Sequence, residues 1–222
     1  MNVVLLFPGQ GSQKPGMAKD LVDARPAARE TFATVDAALG ESLSTLCFDG
    51  PGETLTLTHN AQPALLAHGA AVWATVRDRV GPHVRAAAGH SLGEFTAYHA
   101  AGAFDVAHGA RLVRRRGELM FESGEQRPGT MAAILGDVAG GIDALCAKVS
   151  ADGGCVVPAN YNTPGQVVIS GEVPAVGVPV VVPVVAGPPE RASLCAGAPE
   201  EGEDELEAAS GAVAPVREVA MV

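Results

Sequence analysis

The chain is poor in aromatic side chains, in basic residues and in cysteine. Aromatics make up 4% of its 222 residues, with a single tryptophan, whereas hydrophobic residues as a whole make up 47%. A core drawn from that stock is aliphatic, and it suits helices packed on a buried sheet better than an all-β sandwich. Lys and Arg number 15 against 25 Asp and Glu, a formal charge of −10, with a pI near 5.0. A phosphate footprint needs clustered cations, so DNA and RNA are excluded as partners. Cys47, Cys146, Cys155 and Cys195 are irregularly spaced, without a CxxC pair or a short Cys/His grouping of the zinc kind. They read as free cytosolic thiols, and neither a metal nor any other cofactor is implied. No run approaches the ~18 apolar residues of a membrane span, and the opening stretch Asn2–Phe7 is too short and lacks the basic flank of a signal peptide. A soluble, cytoplasmic α/β protein without a membrane partner is expected.

What is present alternates strand and helix signals. Val3-Val4-Leu5-Leu6-Phe7 is apolar on both faces, as in a buried parallel strand, and Pro8-Gly9 ends it. Pro26 suits the first turn of a helix in which Phe32, Val35 and Leu39 share a face and which Gly40 closes. Asn60 is placed to cap a longer helix running to Gly81. Val84–Ala88 is a short apolar strand leading into Gly89-His90-Ser91-Leu92-Gly93, followed by helical composition from Glu94 to Ala101. Asp105 then caps a helix to about Glu122. From Gly129 the order is a strand (Met131–Leu135), a helix (Ile142–Val149) and two strands (Cys155–Tyr161 and Gln166–Ser170), most of a ferredoxin-like unit. Past Gly171, Pro174, Pro179, Pro183, Pro188 and Pro189 stand where a second helix would complete it. Interior proline costs about 3 kcal/mol, so no helix is expected there. The remainder, rich in Gly, Pro, Ala and Glu, has the composition of a disordered acidic tail. The expected division is 1–125, 126–172 and 173–222.

Two motifs carry chemistry. Gly89-x-Ser91-x-Gly93 between a strand and a helix has the form of a nucleophile elbow: the serine projects from a sharp turn, and the N–H of Leu92 at the helix start can face a developing oxyanion. The bland alternative is a tight turn with a serine cap. Phe7-Pro8-Gly9-Gln10-Gly11-Ser12-Gln13 invites a dinucleotide reading, but Lys14 replaces the third glycine of GxGxxG, and Pro15 interrupts the helix that should follow. A Walker loop fails because Met17-Ala18 follows Gly16 in place of Lys-Ser/Thr.

Taken together, FPGQGSQ, Thr58-His59-Asn60-Ala61-Gln62-Pro63-Ala64-Leu65, GHSLGE, Arg116-Gly117 and Asn160-Tyr161-Asn162-Thr163-Pro164-Gly165-Gln166 resemble, in order and spacing, the bacterial malonyl-CoA:acyl carrier protein transacylases. The resemblance runs from Asn2 to about Glu172. It implies an α/β-hydrolase-like large domain, of which 1–125 is the N-terminal part, carrying an inserted ferredoxin-like subdomain. It also implies malonyl transfer from malonyl-CoA through a Ser91 ester to the phosphopantetheine thiol of acyl carrier protein, in fatty acid biosynthesis. By the same resemblance Gln10 and the Leu92 N–H form the oxyanion hole, and Gln62 lines the site. Arg116 is also legible from helical phase, which puts it with Val106, Leu112, Val113 and Met120 on one side and Arg115 opposite. An arginine on an apolar face needs a partner, either a structural carboxylate or, as the resemblance implies, the free carboxylate of malonate.

One part of that machinery is missing from the sequence. Serine needs an adjacent base; the resemblance implies a histidine late in the small domain, yet no histidine follows His108. The departure begins near Val173. A reading-frame error, a deletion or real divergence each fits, and with it a catalytically impaired remnant, an incomplete sheet and low stability. A polyketide synthase-type acyltransferase fragment is the nearer alternative, although the short lead before FPGQGSQ favours a stand-alone protein.

Overall fold

The computed structural model describes residues 2–138, 140–181, 193–194 and 218–220, with the backbone alone described past Gly177. The chain divides into two compact units, Met1–Gln126 and Arg127–Val222.

The first unit runs β1 (Val3–Phe7), α1 (Lys19–Ala24), α2 (Pro26–Leu39), α3 (Leu43–Asp49), α4 (Gly52–Thr56), α5 (Thr58–Val80), β2 (Val84–Gly89), α6 (Leu92–Ala100) and α7 (Val106–Gln126). Pro26 opens α2 and Gly40, at φ 70°, ends it as expected. Asp105 also caps as expected, accepting the His108 N–H at 2.8 Å. Asn60 does not cap: α5 starts at Thr58, and the buried Asn60 amide donates to the Thr54 carbonyl at 2.9 Å. The alanine-rich first half of α5 is buried between its neighbours, and small residues let α7 approach closely. A Cβ on Gly117 would lie 2.6 Å from the His59 Cα. Phe32, Val35, Leu43, Cys47, Leu55, Leu66, Leu92 and Val113 close one core, each large side chain contributing about 1.5–3 kcal/mol by burial.

Strands β1 and β2 pair in parallel, with Val4 opposite Ala86, Leu6 opposite Ala88 and Phe7 opposite Gly89. Here the expectation of a strand buried on both faces is corrected. Alternate side chains point to opposite faces; Val3, Leu5 and Phe7 are half-buried, whereas Val4 and Leu6 are 57% and 76% exposed. Helices α5 and α6 approach on the Phe7 side, where Cβ atoms on Gly69 and Gly93 would touch Phe7.

The second unit runs β3 (Thr130–Leu135), α8 (Ile142–Ala151), β4 (Val156–Thr163), β5 (Gln166–Gly171), α9 (Val173–Val181), β6 (Ser193–Leu194) and β7 (Glu218–Ala220). Its sheet has the order β4-β5-β3-β7-β6, with β3 antiparallel to both β5 and β7. Ile142, Cys146, Val149, Ala175 and Val176 from the two helices pack on Ala132, Ile134, Val156 and Ile169. Helix α9 corrects the expectation that proline forbids a helix after Gly171. Pro174 lies in the first turn, where its missing N–H has no intrahelical acceptor to lose. The turn closes through the Val176 N–H on the Glu172 carbonyl at 2.9 Å. Pro179 falls late in the helix, where only the final turn is affected. Pro183, Pro188, Pro189 and the acidic composition expected to be disordered lie outside the described residues.

Candidate active site

The first unit's sheet ends in the two motif loops. Because Phe7 and Gly89 are paired in a parallel register, the loop after β1 and the turn after β2 leave the sheet on the same edge. The turn is tight in a way the sequence dictates. Ser91 has φ 51° and ψ −101°, a conformation rarely adopted by a residue with a side chain, and it directly precedes α6. Its neighbours must be glycine: a Cβ on Gly89 would lie 2.0 Å from the Gly93 carbonyl carbon, and one on Gly93 would lie 2.2 Å from the Phe7 carbonyl oxygen. Gly9 serves the same approach from the other loop, since a Cβ there would lie 2.8 Å from the His90 carbonyl oxygen. The His90 N–H reaches back to the Phe7 carbonyl at 3.3 Å, and the Gly93 N–H bonds the His90 carbonyl at 2.9 Å. Serine is thereby held outward, exposed at the end of the sheet.

Arg116 meets that serine. Its Nη2 donates to Ser91 Oγ at 3.0 Å and its Nη1 to Gln62 Oε1 at 2.7 Å. The guanidinium also lies over the Phe95 ring, 5.4 Å from the centroid, a cation–π contact. Gln62 is fully buried, and its Nε2 lies 3.3 Å from Met120 Sδ. The arrangement is therefore an exposed hydroxyl beside a fixed cation, with the cation held by a buried amide and a ring. The Leu92 N–H stands in the first turn of α6, whose donors lack intrahelical acceptors. Gln10 is exposed on its loop and donates to Thr58 Oγ1 at 3.3 Å. Its side chain is thus turned to the start of α5.

Helical phase accounts for only part of the surroundings of Arg116. Arg115 is exposed and pairs with Glu118 at 3.2 Å, but Leu112 and Met120 are each about half-exposed. The structural ion pair considered for Arg116 belongs to its neighbour: Arg114 pairs with Glu41 and donates to Asn60 Oδ1 at 2.6 Å. Burial pushes the Arg114 pKa down, with Glu118 opposing. That contact joins residues far apart in sequence, so no spacing rule could find it. Phe95 was missed too, although it shares the helix that the elbow opens.

Residues 4–181 match the acyl transferase domain family, and the chain belongs to that family. The match carries past Glu172 through α9. The chain is 47% identical over 169 residues to the malonyl CoA-acyl carrier protein transacylase of Bacillus subtilis, covering 76% of this chain and 53% of the relative. Among solved structures, the acyl-carrier-protein-S-malonyltransferase of Bartonella henselae aligns with a TM-score of 0.74 at 44% identity, over 81% of this chain and 58% of that one. A malonyl-transacylase solved in complex with its type II PKS acyl-carrier protein aligns with a TM-score of 0.73 at 43% identity, over 81% and 58%. The chain thus spans little more than half the length of the curated relatives it matches.

Proposed function

We propose that the chain carries the nucleophile half of a malonyl-transfer site. Ser91 accepts malonyl from malonyl-CoA as an ester and passes it to the phosphopantetheine thiol of an acyl carrier protein, a ping-pong exchange of one thioester for another through an oxygen ester. The Leu92 N–H and, after turning from Thr58, the Gln10 amide stabilise the tetrahedral oxyanion. Arg116 exchanges its contact with the serine hydroxyl for a bidentate grip on the malonyl carboxylate. Gln62 keeps the guanidinium in place. The single observation carrying this reading is the convergence of Arg116 on Ser91 Oγ at 3.0 Å, within the length of a three-carbon acyl group. The names of the relatives support the substrate class. The subunit architecture in this reading is an α/β-hydrolase-like first unit with a ferredoxin-like second unit, and the setting is the cytoplasm.

Arginine donates but cannot take a proton, so the Ser91 hydroxyl needs a base from elsewhere. A non-catalytic remnant and a polyketide synthase-type acyltransferase fragment are the competing readings. Incubation with malonyl-CoA followed by intact-mass and peptide mapping separates them. A malonyl ester on Ser91, absent from Ser91→Ala, formed slowly with water as the only proton acceptor and discharged onto carrier protein, is the expected outcome; no adduct on folded protein after prolonged incubation establishes the remnant. An adduct formed equally well from methylmalonyl-CoA favours the polyketide-type fragment.

A further inference from the structure

Arg116 is set apart from the arginines beside it by what holds it. Arg114 pairs with Glu41, and Arg115 with Glu118 and Glu122; among the described residues no Asp or Glu forms an ion pair with Arg116. Its half-buried guanidinium instead lies over the Phe95 ring, 5.4 Å from the centroid, and gives one N–H to Gln62 Oε1 and one to Ser91 Oγ. A cation withdrawn from water needs a compensating partner. A carboxylate would meet that need by claiming the donors that a substrate carboxylate must use, whereas an aromatic face attracts the charge and carries no oxygen to claim an N–H. The ring is also tied to the nucleophile. Ser91 directly precedes α6, and Phe95 stands one turn along that helix and packs against the first unit's core.

We propose that Phe95 is a positioning residue that sets the acyl preference of the site. It holds the Arg116 cation beside Ser91 while leaving the guanidinium fork free for an acyl group that carries a carboxylate. The proposal rests on the malonyl-transfer reading for its substrate class. The Ser91 contact is exchanged when the acyl carboxylate arrives, but the contacts with the Phe95 ring and with Gln62 persist. A non-aromatic side chain of similar size at this position fills the same space yet leaves the cation uncompensated, so the arginine turns out toward water. The cost falls on acyl groups with a free carboxylate; an acetyl group makes no use of the fork and is unaffected.

The test titrates the full 222-residue chain, carrying Ser91→Ala so that no ester consumes the ligand, with malonyl-CoA and with acetyl-CoA. The Ser91→Ala parent should bind malonyl-CoA in preference to acetyl-CoA. Adding Phe95→Leu should weaken malonyl-CoA about fivefold, the worth of a partly exposed cation–π contact, and leave acetyl-CoA unchanged. Phe95→Tyr, which returns the ring, should restore the preference. A loss equal for both thioesters marks a merely structural side chain and overturns the proposal, as does a preference that Phe95→Leu retains in full, or a parent with none. Should Phe95→Leu fold poorly, the parent decides by itself: the Arg116 Nε–H resonance should keep its ring-current shift when malonyl-CoA is added, and loss of that shift overturns the proposal. A Phe95-dependent preference in a chain whose native Ser91 takes up no malonyl ester upholds the role of Phe95 and sinks the acyl-transfer reading instead.

Discussion

The two sheets of this chain differ in how their hydrophobicity is used. In the second unit, the modest strand β3 has Ala132, Ala133 and Ile134 all buried, flanked on both edges and covered by α8 and α9. In the first unit, the more apolar strand β1 only half-buries alternate residues and leaves Leu6 in the open. Apolar composition alone therefore does not tell how far a strand is covered, whereas the exposure of its side chains does. The first unit's remaining strength lies in its helices, which hold a separate core and fix the elbow from one side.

The sharpest way to break that comparison is at the elbow. Gly93→Ala drives a Cβ to within 2.2 Å of the Phe7 carbonyl oxygen, backbone that cannot rotate away. The strand–helix contact should be lost, with the first unit's helical signal melting many degrees lower in calorimetry. Next in size, Phe32→Ala in one core should cost about 3–5 kcal/mol, and Ile169→Ala in the other about 2–5 kcal/mol. Both side chains are buried, at 2% and 0% exposed. Hydrogen exchange should accelerate in α2, α5 and α7 for the first variant and in β3–β5 for the second. Equal patterns from the two variants would mean that the units share one core.

Thiol chemistry gives a finer contrast. Burial, and secondarily Asp36, push the Cys47 thiol up to about 12, and burial also raises Cys146, whereas Cys155 is exposed. Alkylation of folded protein at about pH 8 should modify Cys155 well before Cys47 or Cys146, since only thiolates react. The sign for stability follows. A thiol harder to ionise when folded contributes fully below its unfolded value, and that contribution is lost as pH rises from about 9 toward about 12. Stability should fall through that window, and Cys47→Ala should flatten the fall. Smallest of all, Leu6→Gln on the bare face should change the stability of the isolated chain by no more than about 0.5 kcal/mol, as denaturant titration would report. A larger loss would show that the face is covered within the chain itself.

Much of this was legible before any coordinates. The GHSLGE string announced the elbow because each glycine answers a close approach of backbone, whereas helical phase separated Arg116 from the exposed Arg115 but wrongly grouped it with Leu112 and Met120 as an apolar side. What escaped notice has physical causes. Helices α1, α3 and α4 are too short for an apolar period to show. Helix α9 escaped because the interior-proline penalty was applied to Pro174, which occupies a first turn. Asn60 was misread as a cap because its polar side chain instead serves Thr54 and Arg114, partners that no local rule connects. The open face of β1 was invisible because apolar composition does not reveal whether a covering layer is present.

The central claim is that Ser91 and Arg116 act as one site, the arginine selecting an acyl group with a free carboxylate. The most direct test offers the full chain an equimolar mixture of malonyl-CoA and acetyl-CoA and reads the ester on Ser91 by mass. The wild type should carry malonyl almost exclusively. Arg116→Gln should lose that preference by about 100-fold, the worth of a charge-assisted bidentate pair of roughly 2–3 kcal/mol. An unchanged malonyl-to-acetyl ratio in Arg116→Gln would contradict the account.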